Sequence, residues 1–224
     1  MEFPDRIGVM ILSGCSLFPG AVQPLFIFEP RYRAMLAESL DTHRLFCLAM
    51  QRPGAARECP CQIAGLGVIR ASVTNANGTS NMIVQGLARV RLGKIVQTKP
   101  YRIQMLEPLS AAPKESLALD ALVERTLDLV DARLRRGMRL PLEVFQQLAG
   151  GGGGGDKTSV EHCVRALRGM TDPGAMADLV TTLMLSEPEE RQVILEKLNL
   201  EDRLKHLVQF LVAEVKRARK STDA

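Results

Sequence analysis

The sequence predicts an α+β chain, with a β-rich first half over residues 1–112 followed by an α-helical bundle over residues 113–224. Two observations divide it. In the first half the apolar residues come in short runs or in alternation, broken by Gly, Pro and Asn-Gly turn chemistry, as strands require. Beyond Ser110 they recur at three- and four-residue spacing behind helix-capping residues.

Ile7 to Leu12 is an apolar run ended by Ser13-Gly14 and reads as a buried strand. The next stretch, Leu17 to Leu40, organises the rest. Phe18-Pro19-Gly20 is turn chemistry, and Pro24 to Phe28 is an apolar run too short for a helix. At Glu29-Pro30 the chain switches. A residue before proline avoids the α region, whereas proline suits a first helical turn. Tyr32, Met35, Leu36 and Leu40 then recur at helical spacing.

Leu45 to Met50 is again short and apolar, a strand. Ile63 to Val73 is another, in which Gly65 and Gly67 mark a bulge or a close backbone approach. Asn77-Gly78 is a hairpin signal leading into Met82 to Gln85. Gly86 interrupts, and Leu87 to Val96 resumes the strand pattern with Val90 and Leu92 on one face and Arg89 and Arg91 on a solvated one. Tyr101, Ile103 and Met105 alternate with Arg102, Gln104 and Leu106 in a last strand.

Ser110 to Lys114 reads as a linker. The helical half opens with a stripe of Leu119, Leu122, Val123, Leu127, Val130 and Leu134. Pro141 starts a short helix with Leu142, Phe145 and Leu148 inward, and Gly150 to Gly155 breaks the pattern as a mobile loop. Thr158 with Glu161, and Ser186 with Glu189, have capping-box spacing. Asp172-Pro173 is an N-cap and first-turn pair ahead of Met176, Leu179, Val180, Leu183 and Met184. Asn199 caps a final helix with the stripe Leu200, Leu204, Leu207, Val208, Leu211 and Val215.

Composition narrows the function classes. With 46% hydrophobic residues the 224-residue chain folds, and a net charge of +4 demands no polyanionic partner. Aromatic residues at 4% without Trp argue against base-stacking platforms, so nucleic acid is not the expected partner. The amino-terminal apolar run is too short for a signal peptide or a membrane span, and five cysteines without an export signal imply free thiols in the cytoplasm.

Phe18, Pro19, Gly20, Pro24, Leu25, Ile27, Phe28, Glu29, Pro30, Arg31, Tyr32, Met35 and Leu36 spell a pattern that resembles the start of the Lon protease amino-terminal domain, the LON substrate-binding family. IVQGLARVRLG with YRIQMLEPL is similar to the family's later strands. Asp172, Ala177, Asp178, Leu179, Gln192, Leu195, Glu196, Arg203 and Leu204 match its helical segments. The resemblance runs from Ile7 to Val215 and implies a PUA-like pseudo-barrel followed by helices. It further implies a non-catalytic module that recognises polypeptide, with unfolded or degradation-bound clients and other proteolysis components as partners. The same fold implies RNA binding as the alternative.

Chemistry-bearing motifs are few. Gly150, Gly155, Lys157 and Thr158 approach a phosphate-binding loop, but Asp156 stands directly before the lysine and no strand precedes the run, so no nucleotide cofactor is expected. Cys59-Pro60-Cys61 lacks a second pair of ligands, and Cys15, Cys47, His43, His162 and Cys163 are scattered, so no metal is expected. No GxSxG or HExxH motif is present, and His43, His162 and His206 have no catalytic context. Glu29, Pro30, Arg31 and Tyr32 are expected to form a structural turn, with Glu29 and Arg31 bonding backbone and Tyr32 in the core. Arg133, Arg135, Arg136 and Arg139 form a basic cluster, read as a solvated helix end. An apolar client surface is expected at Phe18, Phe26, Met176 and Met184, because client binding without chemistry needs apolar area that folding leaves open, and methionine adapts to varied partners.

Overall fold

The computed structural model describes residues 3–110, 116–136 and 160–222. Residues 111–114 of the expected linker, the helix opened by Pro141, the Gly150 to Gly155 run, Lys157, Thr158 of the first capping box and Arg139 lie outside them. In chain order the elements are β1 (Arg6–Leu12), β2 (Val22–Ile27), α1 (Pro30–Asp41), β3 (Leu45–Met50), β4 (Ile63–Thr74), β5 (Ser80–Gln97), β6 (Ile103–Leu109), α2 (Leu117–Leu134), α3 (Val160–Arg168), α4 (Pro173–Met184), α5 (Pro188–Glu196) and α6 (Leu200–Thr222). The chain is α+β, as its patterning predicts.

The strands form one mixed sheet in the order β2-β5-β4-β3-β1-β6, and β6 also pairs with β5. Five strands therefore close into a circuit, while β2 lies outside it against the first part of β5. β1 and β3 run parallel and are covered on both sides. Ile7, Val9, Ile11, Cys47 and Ala49 fill the barrel with Ala64, Leu66, Val90 and Leu92. Met10, Phe46 and Leu48 meet Tyr32, Met35 and Leu36 of α1 on the other side. Burial on both faces is why LFCLAM is continuously apolar rather than alternating.

Two expectations for the strands change. Gly86 does not divide a strand, because β5 runs unbroken through it for 18 residues. The close approach expected at Gly65 and Gly67 is real, and Gly86 shares it. A Cβ on Gly65 would lie 2.0 Å from the Leu17 carbonyl oxygen, and one on Gly86 2.0 Å from that of Phe18. The register also slips between Leu66 and Gly67, so a bulge accompanies the approach. Arg89 is not on a solvated face. It is 6% exposed, and its Nε donates to the Leu195 carbonyl at 3.0 Å. In β6 Gln104 is buried and its Nε2 donates to the Gly93 carbonyl, Leu106 packs against the barrel core, and Met105 is exposed.

The chain divides into two compact units, Met1–Ser110 with Glu187–Glu196, and Ala111–Ser186 with Lys197–Ala224. Helix α5 thus belongs with the strands. Gln192 Nε2 donates to the Ile63 carbonyl at 2.9 Å, the Ser16 hydroxyl donates to Gln192 Oε1 at 2.8 Å, and Pro188 lies against Gly14. Ser186 does not cap α5. Its hydroxyl donates to Glu214, and the helix starts at Pro188.

In the second unit α2 packs along α6 and against α3. Asp172 accepts from the Gly174 N–H and Asn199 from the Asp202 N–H, the caps their types predict. Asp178 and Arg203 form a buried ion pair at 3.3 Å.

Candidate polypeptide-binding face

The turn at Glu29-Pro30 forms as its chemistry dictates. Glu29 is extended (φ −66°, ψ 133°) and Pro30 takes the first helical position. The roles of its side chains differ from expectation. Glu29 makes no capping bond. Arg31 Nε donates to Glu29 at 2.8 Å and its Nη1 to Glu58 at 2.6 Å, while the guanidinium stacks 4.4 Å from the Tyr32 ring centre. Glu29 and Arg31 thus bond each other and Glu58 rather than backbone. Tyr32 is core, as predicted. Its hydroxyl donates to the Ile11 carbonyl and accepts from the Ile11 N–H, both at 3.1 Å, which ties α1 to β1.

A polar cleft of about 110 Å³ lies here, lined by Arg31, Tyr32, Glu58, Tyr101 and Arg102 among others. Burial pushes the Tyr32 hydroxyl pKa up, and burial with the Glu38 carboxylate pushes Tyr101 up. Burial opposes the Arg31 charge, but the bonds to Glu58 and Glu29 outweigh it and raise its pKa. Both phenols stay protonated at neutral pH and act here as hydrogen-bond donors that brace the fold.

The apolar face lies elsewhere. Along β2, alternate residues point away from the core, which leaves Val22, Pro24 and Phe26 on the outer side with Phe28 just beyond. The pairing places Pro24 beside Ile83 and Ile83 beside Ala71. The next row is Phe26, Asn81 and Val73. Phe26 is 55% exposed and Phe28 59%, and their rings stack with centres 6.0 Å apart. Ile83 and Val73 are exposed beside them. Together these strands hold an open concavity of about 400 Å³. Singly exposed apolar residues are ordinary, whereas a contiguous apolar face is a candidate interaction surface.

Of the four residues expected to form a client surface, only Phe26 is on this face. Phe18 is 1% exposed, with the Arg89 guanidinium 5.7 Å from its ring centre, because the Leu17-Phe18 backbone crosses over the glycines of β4 and β5. Met176 and Met184 are 1% and 2% exposed and belong to the buried stripe of α4. Their spacing is that of a core helix face, and they pack as such. Phe28, Val73 and Ile83 were not singled out by the sequence. The outward phase of β2, β4 and β5 was the signal that could have found them.

Of the arginines expected at a solvated helix end, Arg135 and Arg136 are exposed, and two carry ion pairs. Arg135 pairs with Asp131 and Glu161, and Arg133 faces the buried Glu214 at 3.9 Å. Among the described residues no group of three His, Cys, Asp or Glu side chains is placed to hold a metal ion, and no helix is long and apolar enough to cross a membrane.

Comparison with known proteins agrees with the architecture. The family model for the ATP-dependent protease La (LON) substrate-binding domain matches residues 6–213. A Lon protease of Syntrophus aciditrophicus is 24% identical over 214 residues, which are 92% of this chain and 25% of that protein. The chain spans about a quarter of the length of the curated relatives it matches. In fold it resembles the N-terminal domain of Mycobacterium avium complex Lon protease, with a TM-score of 0.65 at 20% identity over 92% of this chain and 98% of that one. It also resembles a Lon N-terminal domain protein from Xanthomonas campestris, with a TM-score of 0.58 at 14% identity, over 92% of this chain and 98% of that one.

Proposed function

The chain belongs to the family of LON substrate-binding domains, and from that premise we propose that it is a non-catalytic recognition module that binds unfolded or degradation-bound polypeptide in the cytoplasm. The observation that supports this most is the outer face of β2, β5 and β4, where the stacked Phe26 and Phe28 border an open apolar concavity. Such a face discriminates weakly between sequences, because apolar burial is non-directional. It favours chains with side chains to bury, and a folded client has already buried its own. Its partners in this reading are polypeptide clients and other components of proteolysis.

The test is titration of a fluorescently labelled, permanently unfolded protein with wild type, Phe26→Ser and Phe28→Ser. Burying a phenylalanine is worth about 1.5–3 kcal/mol, so each change should weaken binding about ten-fold or more. Affinity should vary little with salt beyond any contribution from charged flanks. Binding that survives both substitutions and vanishes with salt would overturn the reading and favour RNA.

A further inference from the structure

The apolar concavity has a charged end, and the charge is of one sign. No acidic residue occurs between Glu58 and Glu107, a span that contains the whole of β4 and β5, and none occurs in β2. The register slips between Ile69 and Ala71, so Arg70 is the unpaired residue of a bulge directly beside the Ala71–Ile83 row. Arg70 Nε donates to Gln85 Oε1 at 2.7 Å. Gln85 pairs with Val22, so the guanidinium is fixed at the Val22 end of the apolar face. A second guanidinium is anchored one residue away on the same strand, since Arg44 Nε donates to the Ile69 carbonyl at 3.3 Å. Both arginines are exposed, and among the described residues neither has a carboxylate partner. Arg91 and Arg31, by contrast, have carboxylate partners, in Glu107 and in Glu29 with Glu58.

The bond to Gln85 uses Nε and leaves the two Nη groups of Arg70, the fork that matches a carboxylate. From Gln85 to Asn81 the face extends over four residue steps, roughly 13 Å of extended chain. We propose that the face takes extended polypeptide segments in which a short apolar stretch is joined to an acidic residue seated at Arg70 and Arg44, and disfavours segments with lysine or arginine in that place. This rests on the polypeptide-binding reading above and adds a substrate class to it. The apolar stretch covers Pro24, Phe26, Val73 and Ile83, and the carboxylate supplies the charge that the barrel withholds from these two arginines.

Three fluorescein-labelled peptides test it. They share one apolar core and end in two glutamates, two glutamines or two lysines, and binding is read by anisotropy at low and high salt. Exposed ion pairs are weak, so at low salt the glutamate peptide should bind about five-fold tighter than the glutamine peptide, and the lysine peptide weaker than both. Salt should erase the ranking. Arg70→Gln should erase most of it, by lowering the glutamate peptide's affinity toward that of the glutamine peptide, with the melting temperature unchanged. Equal affinities for the three peptides, all lost in Phe26→Ser, would overturn the charge preference and leave the apolar reading standing. If no peptide binds, both fall. If a single-stranded oligonucleotide binds instead and loses affinity in Arg70→Gln, the arginines serve phosphate and this inference is wrong.

Discussion

The Arg89 guanidinium donates to the main-chain carbonyl of Leu195, 106 residues further along the chain, and the bond is buried. It joins β5 to the end of α5, where helix carbonyls lack intrahelical partners and favour a cation. Arg89→Ala removes a charged donor and leaves buried acceptors unsatisfied. The expected cost is about 2–4 kcal/mol, measured as the shift in urea midpoint. A change below about half a kcal/mol would mean that α5 is held without it.

The glycines of the barrel divide by mechanism. Gly65→Ala places a methyl group 2.0 Å from the Leu17 carbonyl oxygen, and backbone on both sides must move. A loss of about 3 kcal/mol or more, or failure to fold, is expected. Gly20→Ala meets nothing within 4 Å but has φ +78°, so its cost should be only about 1–2 kcal/mol from backbone strain. Thermal denaturation of the two variants distinguishes contact from strain by rank.

Asp178 and Arg203 are paired with side chains 3% and 5% exposed. Asp178→Ala removes the carboxylate paired with this buried arginine and should cost about 3–5 kcal/mol. Chemical unfolding followed by circular dichroism checks it.

Burial pushes the Cys47 thiol from its ordinary 9.0 up to about 12. The folded state therefore holds this proton to higher pH than the unfolded chain does. Below about pH 9 the group contributes no pH dependence. Above it the unfolded state ionises first, and stability falls as pH rises toward 12, by at most about 1.4 kcal/mol per unit. The raised Tyr32 and Tyr101 hydroxyls act in the same direction at higher pH. Cys47→Ala should flatten part of the alkaline slope in urea titrations. Native-state alkylation with mass spectrometry should label the half-exposed Cys59 well before Cys47.

The strands and helices were legible because local patterning decides them. LFCLAM read as a strand from its short apolar run, and Glu29-Pro30 as a switch from the conformational limits of proline and its predecessor. Asp178, Gln192 and Arg203 carried the family resemblance, and each makes buried contacts that brace the fold. What the sequence concealed depends on partners far along the chain. Nothing in the residues around Arg89 says that a helix ending near Leu195 will cover it. Nothing about Phe18 or Met176 says whether a neighbour covers them, since an apolar side chain serves a core and a binding face equally well. Phe26 was legible as a candidate, while the rest of its face needed the register of β2, β4 and β5, which alternation alone does not set.

The return of α5 to the strands bears on synthesis. A ribosome that has released Ser110 must add about 86 more residues before Glu196 is made, roughly 4–17 s at ordinary elongation rates. Through that interval the nascent barrel has all its strands but not the helix that bonds to Ser16, Ile63 and Arg89. Its seat for α5 is open to solvent and to other chains. The barrel reaches its final form late, after most of the helical unit has been translated, so any factor guarding the young chain has to protect the earlier half while the later one is still emerging.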